Sequence, residues 1–454
     1  MIAVIFLAVL IVWEALYIAG FIDPVRYYHP IGALQILSDL NFLRGFGLMS
    51  VQLVVASLAG GTIALAVGPL ILRRGWLVGS TIRFLRIAMW IPFIIYWPLP
   101  IWGSWKLDFG QTILVVLLCS VLVVGFSSVH SYLVSRLLLN LTPKDGRWWL
   151  LRSAIVQALF ISVYSQLWLE PYGWDWYTYR VAGAYAASML VLLLVFIIER
   201  LLRSRFDYIS AIRGNILLGQ FDLATVGTLF GSMVIALFLT LIWQVLSLSP
   251  LESVFSSPLA VLGVYYHLLF KGSFWQDVYV SFSEIFGGLI LGSGATLILY
   301  RMLYTYNSLR ARLCSLLTLL HITFFFSPVI IMQWLAVIGY WQKTIGIGLV
   351  TIYPILEALW GLRDRAWGLR LLLAIDNALP YAVVMMLFSE AMAATGGLGF
   401  SMVVAHAEKQ TVPEGIAVAV ILVALLVVVS GVTRALAKHI YQVTPTTREG
   451  LGRL

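Results

Sequence analysis

The chain has 454 residues, of which 61% are hydrophobic and only 11% are charged, and its mean hydropathy is +0.96. Because soluble domains carry about 25% charged residues, this composition excludes an ordinary soluble protein and predicts a polytopic membrane protein. The formal net charge of +9 does not indicate nucleic-acid binding, because the Lys and Arg residues occur in short clusters between apolar runs rather than on a soluble face.

Apolar runs long enough to cross a bilayer recur along the whole chain. A spanning helix needs about 20 mainly apolar residues. The first run has no basic segment before it and no small-residue cleavage site after it, so we interpret it as a span and not as a signal peptide. Twelve spans are predicted, at 2–21, 46–72, 84–103, 112–134, 151–169, 179–200, 226–248, 278–300, 313–338, 344–360, 379–394 and 413–437.

The basic residues predict how these spans are oriented. Most of the 29 Lys and Arg residues fall in alternate loops between the predicted spans. Because cytoplasmic loops are enriched in Lys and Arg, these loops lie in the cytoplasm, and an even number of spans then places both termini there as well.

The two halves of the chain resemble each other. Ala59-Gly60-Gly61 in the second span corresponds to Phe286-Gly287-Gly288 in the eighth, and the loop 147–152 corresponds to the loop 365–370, at separations close to half of the chain length. Two repeats are therefore predicted, 1–215 (diverged) and 216–454, each with six spans in the same orientation and related by a pseudo-twofold axis along the membrane normal. Chance similarity among Gly, Pro and Trp in helices of like composition is the alternative.

Motifs of enzymes that act alone are missing from the sequence. It contains no G-x-x-x-x-G-K-[ST] phosphate loop, no H-E-x-x-H zinc motif and no G-x-S-x-G nucleophile motif, and its six His residues are scattered over different segments. We predict that the chain is not an enzyme and that it holds no cofactor and no metal.

The segment 357–380 lies between two apolar runs and reads EALWGLRDRAWGLRLLLAIDNALP. Its basic and amphipathic character predicts a helix on the cytoplasmic membrane surface. The leading Glu-Ala, the basic residues and the closing Leu-Pro resemble the EAA loop of the permease subunits of ABC importers. Tyr353-Pro354 before this segment, and SEAMAATGGLGF at 389–400 after it, are similar to the nitrate/sulfonate/bicarbonate/taurine branch of that family.

This resemblance implies the membrane-spanning permease subunit of an importer that moves a small solute across the bacterial inner membrane. In the family the EAA loop is the coupling helix, so the implied partners are two cytoplasmic ATPase subunits, which bind the ATP, and an extracytoplasmic solute-binding protein. The coupling residues would be Glu357, Ala358, Trp360, Gly361, Arg363, Arg365, Trp367 and Arg370, and a second coupling loop would contain Gly146, Arg147, Trp149 and Arg152.

Acidic residues inside predicted spans are a further candidate site. A charge at the bilayer centre is costly and usually faces a cavity or a partner. Glu284 and Glu390, with the polar His321 and Gln333, are predicted to line the translocation path; pairing with neighbouring hydroxyls such as that of Ser281, for packing alone, is the alternative. Two other functions stay open: a membrane scaffold or assembly subunit derived from a permease, and an ion-driven carrier that uses the two Glu residues.

Overall fold

The computed structural model describes the chain in several stretches. These are residues 11–12, 14–21, 40–88, 109–137, 150–151, 154–155, 157–158, 161–162, 234, 237, 240–245, 247–248, 256–270, 272–305, 339–362, 366–393, 396–407 and 412–441. Within them the structure has no strand and nine defined helices: α1 (Leu40–Arg73), α2 (Gly75–Ala88), α3 (Phe109–Leu137), α4 (Pro258–Phe270), α5 (Gly272–Thr305), α6 (Tyr340–Gly361), α7 (Trp367–Ala393), α8 (Leu398–Ala407) and α9 (Val412–Tyr441).

Six of these helices are long and apolar enough to cross a membrane, which confirms an all-α polytopic architecture. Their apolar segments are Ser50–Arg73, Val116–Leu133, Ser273–Met302, Tyr340–Trp360, Trp367–Glu390 and Pro413–Ala437. Five of the six agree with predicted spans to within a few residues. The prediction of a span at 379–394 was wrong in its start, because α7 begins at Trp367 and contains Pro380 in its interior. The remaining predicted spans lie wholly or partly outside the described residues.

Helices α1 and α3 pack closely along a line of small residues. A Cβ atom added to Gly60 would lie 2.6 Å from Val124 Cγ1, and one added to Gly68 would overlap the Tyr132 ring. Only a residue without a side chain allows this approach, as at other close helix contacts in membranes. Because later residues of α1 meet later residues of α3, the two helices run parallel.

Helices α5 and α6 pack in the same way. A Cβ atom added to Gly288 would lie 2.6 Å from Ile347 Cβ, and one added to Gly292 would lie 2.6 Å from the Gly348 carbonyl oxygen. The order of these contacts again makes the helices parallel. The Thr296 hydroxyl, on the same line, donates hydrogen bonds to the carbonyls of Gly292 (2.6 Å) and Ile352 (3.3 Å).

Helix α7 runs antiparallel to α6 and forms the centre of the larger apolar core. The Asn377 side-chain amide donates to the Pro354 carbonyl (3.1 Å), and Arg370, earlier in α7, meets Leu359, later in α6. Residues of α7 from 373 to 390 are almost all buried. Because the middle of α7 is buried among apolar side chains, its polar contacts with the neighbouring helices lie nearer its two ends.

The short helices pack around this centre. Helix α4 has 13 residues and a length of about 20 Å, which is too short to cross the hydrocarbon core. It contacts α9, where the Tyr265 hydroxyl donates to the Ala417 carbonyl (3.1 Å). Helix α8 packs against α5, α7 and α9, so that its first residues lie beside the end of α7.

Candidate functional site

A buried ionic cluster lies where α5, α6 and α7 meet, and we call Glu284, Lys343 and Glu390 the Glu-Lys cluster. The Lys343 ammonium forms an ion pair with Glu284 Oε1, and the Glu390 carboxyl lies within hydrogen-bonding reach of the Glu284 carboxyl. Both Glu residues are 0% exposed and Lys343 is 5% exposed. The three residues come from the first half of α5, the first turn of α6 and the last turn of α7.

The charges of this cluster do not balance. Two carboxyl groups, which carry two negative charges when both are ionised, face a single ammonium group in a buried place. Ion burial costs several kcal/mol per charge unless each charge is paired and hydrogen-bonded. Within the part of the chain that the structure describes, no hydrogen-bond donor reaches Glu284 Oε2. A cluster of two carboxyl groups and one ammonium group can therefore bind a further positive charge.

A second set of contacts, the α8 latch, joins the cluster to the start of α8. Glu390 Oε2 accepts a hydrogen bond from the Gly399 N–H (2.7 Å), and its Oε1 accepts one from the Ser281 hydroxyl (2.7 Å). Ser281 Oγ in turn accepts from the Leu398 N–H (2.8 Å). Asp277 completes the latch.

The Asp277 carboxylate accepts hydrogen bonds from one residue before α8 and from one residue within α8. Its Oδ1 accepts from the Gly397 N–H (2.9 Å), and its Oδ2 accepts from the Ser401 hydroxyl. The first N–H groups of a helix lack partners within that helix, and negative charge is favoured there. Side chains of α5 and α7 therefore cap α8 from outside.

Two glycines make this docking possible. Gly397 has a φ of +116°, and a Cβ atom there would overlap the Glu390 carboxyl. At Gly399 an added Cβ would lie 2.8 Å from the Leu387 carbonyl oxygen. The run Gly-Gly-Leu-Gly at 396–399 therefore has a local structural reason: the backbone must press against Glu390 to expose its amides to the carboxylates.

The structure brings together part of the predicted translocation-path set. Glu284 and Glu390 lie side by side, although they are far apart in sequence, whereas His321 and Gln333 lie outside the described residues. Ser281, named in the sequence as a hydroxyl partner, does bond Glu390. Whether these residues line a path stays a prediction.

Sequence reasoning missed Lys343 and Asp277. Lys343 lies just before the predicted span 344–360, whereas the structure has it in the first turn of α6 with its side chain buried. Asp277, Ser281 and Glu284 are spaced four and three residues apart, which places them on one face of α5. That spacing was visible in the sequence and could have identified the polar face.

A second polar group, at the opposite end of α7, contains Arg370. Its guanidinium donates to the Tyr300 hydroxyl and to the Leu359 carbonyl, both at 2.6 Å, and stacks near the rings of Tyr300 and Trp367. The side chain is only 7% exposed. Arg370 therefore joins α5, α6 and α7 and does not extend from a surface.

Asp376 and Arg434 tie α7 to α9 at the same end. Arg434 Nε and Nη2 both donate to Asp376 Oδ2 at 2.9 Å, and the Ser430 hydroxyl donates to Asp376 Oδ1. The two charged residues that made the first half of α7 look like a surface segment, Arg370 and Asp376, are thus satisfied inside the protein.

The prediction of a surface helix over 357–380 was wrong, because Arg370 and Asp376 have their partners inside the protein. Helix α6 continues to Gly361 and α7 starts at Trp367, so the described residues of this segment belong mainly to the ends of two antiparallel helices. Ala358 and Trp360 are buried in the core, and Glu357 accepts a hydrogen bond from the Tyr353 hydroxyl (3.4 Å).

Trp367, at the start of α7, is 47% exposed, while Arg363 and Arg365 lie outside the described residues. We call residues 362–366, which connect the two helices in the sequence, the α6–α7 connection. The second predicted coupling loop, with Gly146, Arg147, Trp149 and Arg152, also lies outside the described residues. The coupling role of both regions stays a prediction.

Comparison with known proteins adds no relative. No family model, no curated protein and no solved structure matches the chain significantly.

Proposed function

We propose that the protein is a solute permease of the bacterial inner membrane: the membrane-spanning subunit of an importer for a small solute, driven by separate ATPase subunits. The observation that carries a transport role is the Glu-Lys cluster. Ionisable residues inside spanning segments are costly, and they mark substrate or ion pathways in membrane proteins. The cluster joins three helices and, through the α8 latch, a fourth helix. A transporter needs such a connection between helices if their movement is to open and close access to the transport path.

The helix packing supports the two-repeat, twelve-span form of this proposal. Gly60 of α1 meets Val124 and Gly125 of α3, and Gly288 of α5 meets Ile347 and Gly348 of α6. A Gly on one helix therefore contacts a β-branched residue followed by Gly in both halves. This packing makes Gly60 equivalent to Gly288, one residue away from the correspondence of Gly60 with Gly287 in the sequence. The parallel direction of each pair is also what the repeat requires, because a chain has to recross the membrane between two parallel spans.

The ATPase partner is supported by the resemblance of 357–380 to the EAA loop, in a form that the structure restricts. Trp360 is a core residue, so it is unsuited to contact a partner. Trp367, half exposed directly after the α6–α7 connection, is a suitable aromatic anchor, and Arg363 and Arg365 belong to that connection in the sequence. Such anchors usually dominate binding at protein interfaces. The partner would then bind this connection on the cytoplasmic side, the side on which we also propose both termini.

The test is purification of the tagged protein in mild detergent, with identification of the proteins that accompany it. We expect an ATPase subunit in the wild type and its loss in Trp367→Ala. Trp341→Ala is the matched control, because Trp341 is 67% exposed and lies at the opposite end of α6. It should leave the complex intact. An extracytoplasmic solute-binding protein would be sought by crosslinking from the same cells.

Absence of any ATPase, or one that binds equally well to both variants, would overturn the coupling assignment. A membrane scaffold or assembly subunit is then favoured if other membrane proteins accompany the chain instead.

The Glu-Lys cluster specifically favours a second candidate, an ion-driven carrier that needs no ATPase. In this case the purified protein in liposomes should accumulate its solute under an ion gradient, with the internal pH followed by an entrapped dye while candidate solutes are added. Glu284→Gln and Glu390→Gln should both abolish this flux. An ATPase-driven permease should show no such flux at all.

A further inference from the structure

We propose that the Glu-Lys cluster is a proton-binding site and that the bound proton keeps α8 docked through the α8 latch. The proposal does not depend on how transport is driven. The proton is the ligand of this buried site, and loss of the proton releases α8.

The charges of the cluster determine how many protons it can bind. With both carboxyls ionised and Lys343 protonated, the cluster has an excess of one negative charge in a buried place. One proton from the solution, taken up by one carboxylate to give a carboxylic acid, makes the cluster neutral. Burial favours the neutral state.

The two carboxyls are placed so that they can share one proton. Glu284 and Glu390 are within hydrogen-bonding reach of each other, yet two ionised carboxylates have only acceptors and repel. No donor within the described part of the chain reaches Glu284 Oε2. A proton on Glu284 Oε2 supplies the missing donor, since its O–H can then bond to the Glu390 carboxylate, which stays ionised beside the start of α8. Two carboxyls that share a site in this way titrate as a pair.

The Glu390 carboxyl connects the bound proton to α8. Glu390 is in both sets of contacts: it faces Glu284 on one side and accepts from Gly399 and Ser281 on the other. When the proton leaves, Glu284 and Glu390 repel each other. Movement of the Glu390 carboxyl away from Glu284 breaks the bonds to Ser281 and Gly399, and Ser281 also holds Leu398. Loss of the proton therefore loosens the start of α8.

The other groups around Glu390 fit this assignment. Asp277 is the further acid that faces the latch from α5, and both of its oxygens have donors, Gly397 and Ser401. It caps the start of α8 through these two bonds. Lys343 is the facing cation from α6. The described side chains at the start of α8 contain no ionisable group.

The direct test is infrared difference spectroscopy of the full-length protein between acidic and alkaline pH, read at the carboxylic-acid C=O band. Wild type should show one such buried acid at low pH that disappears on raising the pH. Glu284→Gln and Glu390→Gln should each lose it, because a single carboxylate is neutralised by Lys343. Asp277→Asn, the matched control on the same face of α5, should retain it. Lys343→Met should about double the band, since two carboxylates without a cation take up two protons.

The response of α8 is tested by cysteine labelling. Gly396→Cys places a thiol beside the latch at a site with room, since a Cβ there lies 3.5 Å from the nearest atom, Asp277 Oδ1. Gln276→Cys, exposed at the start of α5, corrects for the ionisation of the thiol itself. Cys314→Ser removes one native thiol, and the buried Cys119 is retained.

The ratio of the two labelling rates should rise with pH in the wild type, by up to about tenfold per pH unit for one proton, and should be flat in Glu284→Gln. If that variant does not fold, Glu390→Gln serves the same comparison. A band that persists in both Gln variants, a wild type without the band, or a labelling ratio that does not change with pH would each overturn the proposal.

Discussion

Two pairs of parallel helices, α1 with α3 and α5 with α6, have the same packing and different chemistry. One turn before the close contact at Gly60, α1 carries the buried Ala56; one turn before Gly288, α5 carries Glu284. One turn before Val124, α3 carries Ser120, whereas one turn before Ile347, α6 carries Lys343.

The two helix pairs show that close packing does not require a buried ion pair. In the first pair the Gln52 amide donates to the Ser120 hydroxyl (2.6 Å), and a neutral hydrogen bond is sufficient to accompany the glycine contact. The ion pair of Glu284 and Lys343 is therefore not needed to bring two such helices together. A costly charge retained where a neutral pair suffices is best explained by a task other than packing.

The largest expected effect comes from disrupting the close glycine contact that the two helix pairs share. In Gly292→Val the new side chain would collide with Thr351 and with the Gly348 carbonyl, which is backbone and cannot move aside. We expect α5 and α6 to separate, with a loss of about 3 kcal/mol or more in unfolding free energy. Thermal unfolding in detergent measures it. Gly294→Val is the matched control, because a Cβ there has no neighbour within 4 Å.

The first pair should respond in the same way. Gly60→Val would collide with the Val124 backbone, at 2.9 Å from its carbonyl carbon, whereas Gly61, the next residue, has open space around its Cβ. Gly60→Val should therefore be strongly destabilising and Gly61→Val close to neutral. Equal stability of these two variants would refute the shared packing.

The next effect separates the two pairs. Lys343→Met leaves two buried carboxylates without their cation, which should cost about 3 kcal/mol at neutral pH. The loss should shrink at acidic pH, because the carboxyls then take up protons. Adding Glu284→Leu to Lys343→Met should restore most of the stability. An unfolding midpoint that is unchanged in Lys343→Met, or a double variant no better than the single one, would contradict a buried ion pair.

Much of this fold could be predicted from the sequence because hydropathy is local. The spans that became α6 and α9 were predicted within a few residues. The start of α7 was not, since Arg370 and Asp376 made its first half look like a surface segment. Their partners Tyr300 and Arg434 are distant in sequence, so nothing local revealed that these charges are satisfied inside the protein.

The candidate site was predictable to a similar extent. Glu284 and Glu390 could be selected because an acid in an apolar run is costly wherever it points. Lys343 could not, because a Lys near the end of a run reads equally well as a loop residue. The docking of α8 depends on the contact of Gly397 and Gly399 with Glu390, which only the three-dimensional structure provides.

The smallest expected effect tests the neutral pair. Ser120→Ala removes the acceptor of the Gln52 amide, and Gln52→Leu removes the donor; each should cost about 1 kcal/mol, the usual net value of one hydrogen bond. Unlike that of Lys343→Met, this loss should not change with pH, because neither group ionises. The same unfolding measurement at two pH values distinguishes them. If Ser120→Ala were as costly and as pH-dependent as Lys343→Met, the difference between the two helix pairs would lie elsewhere than in the charges of α5 and α6.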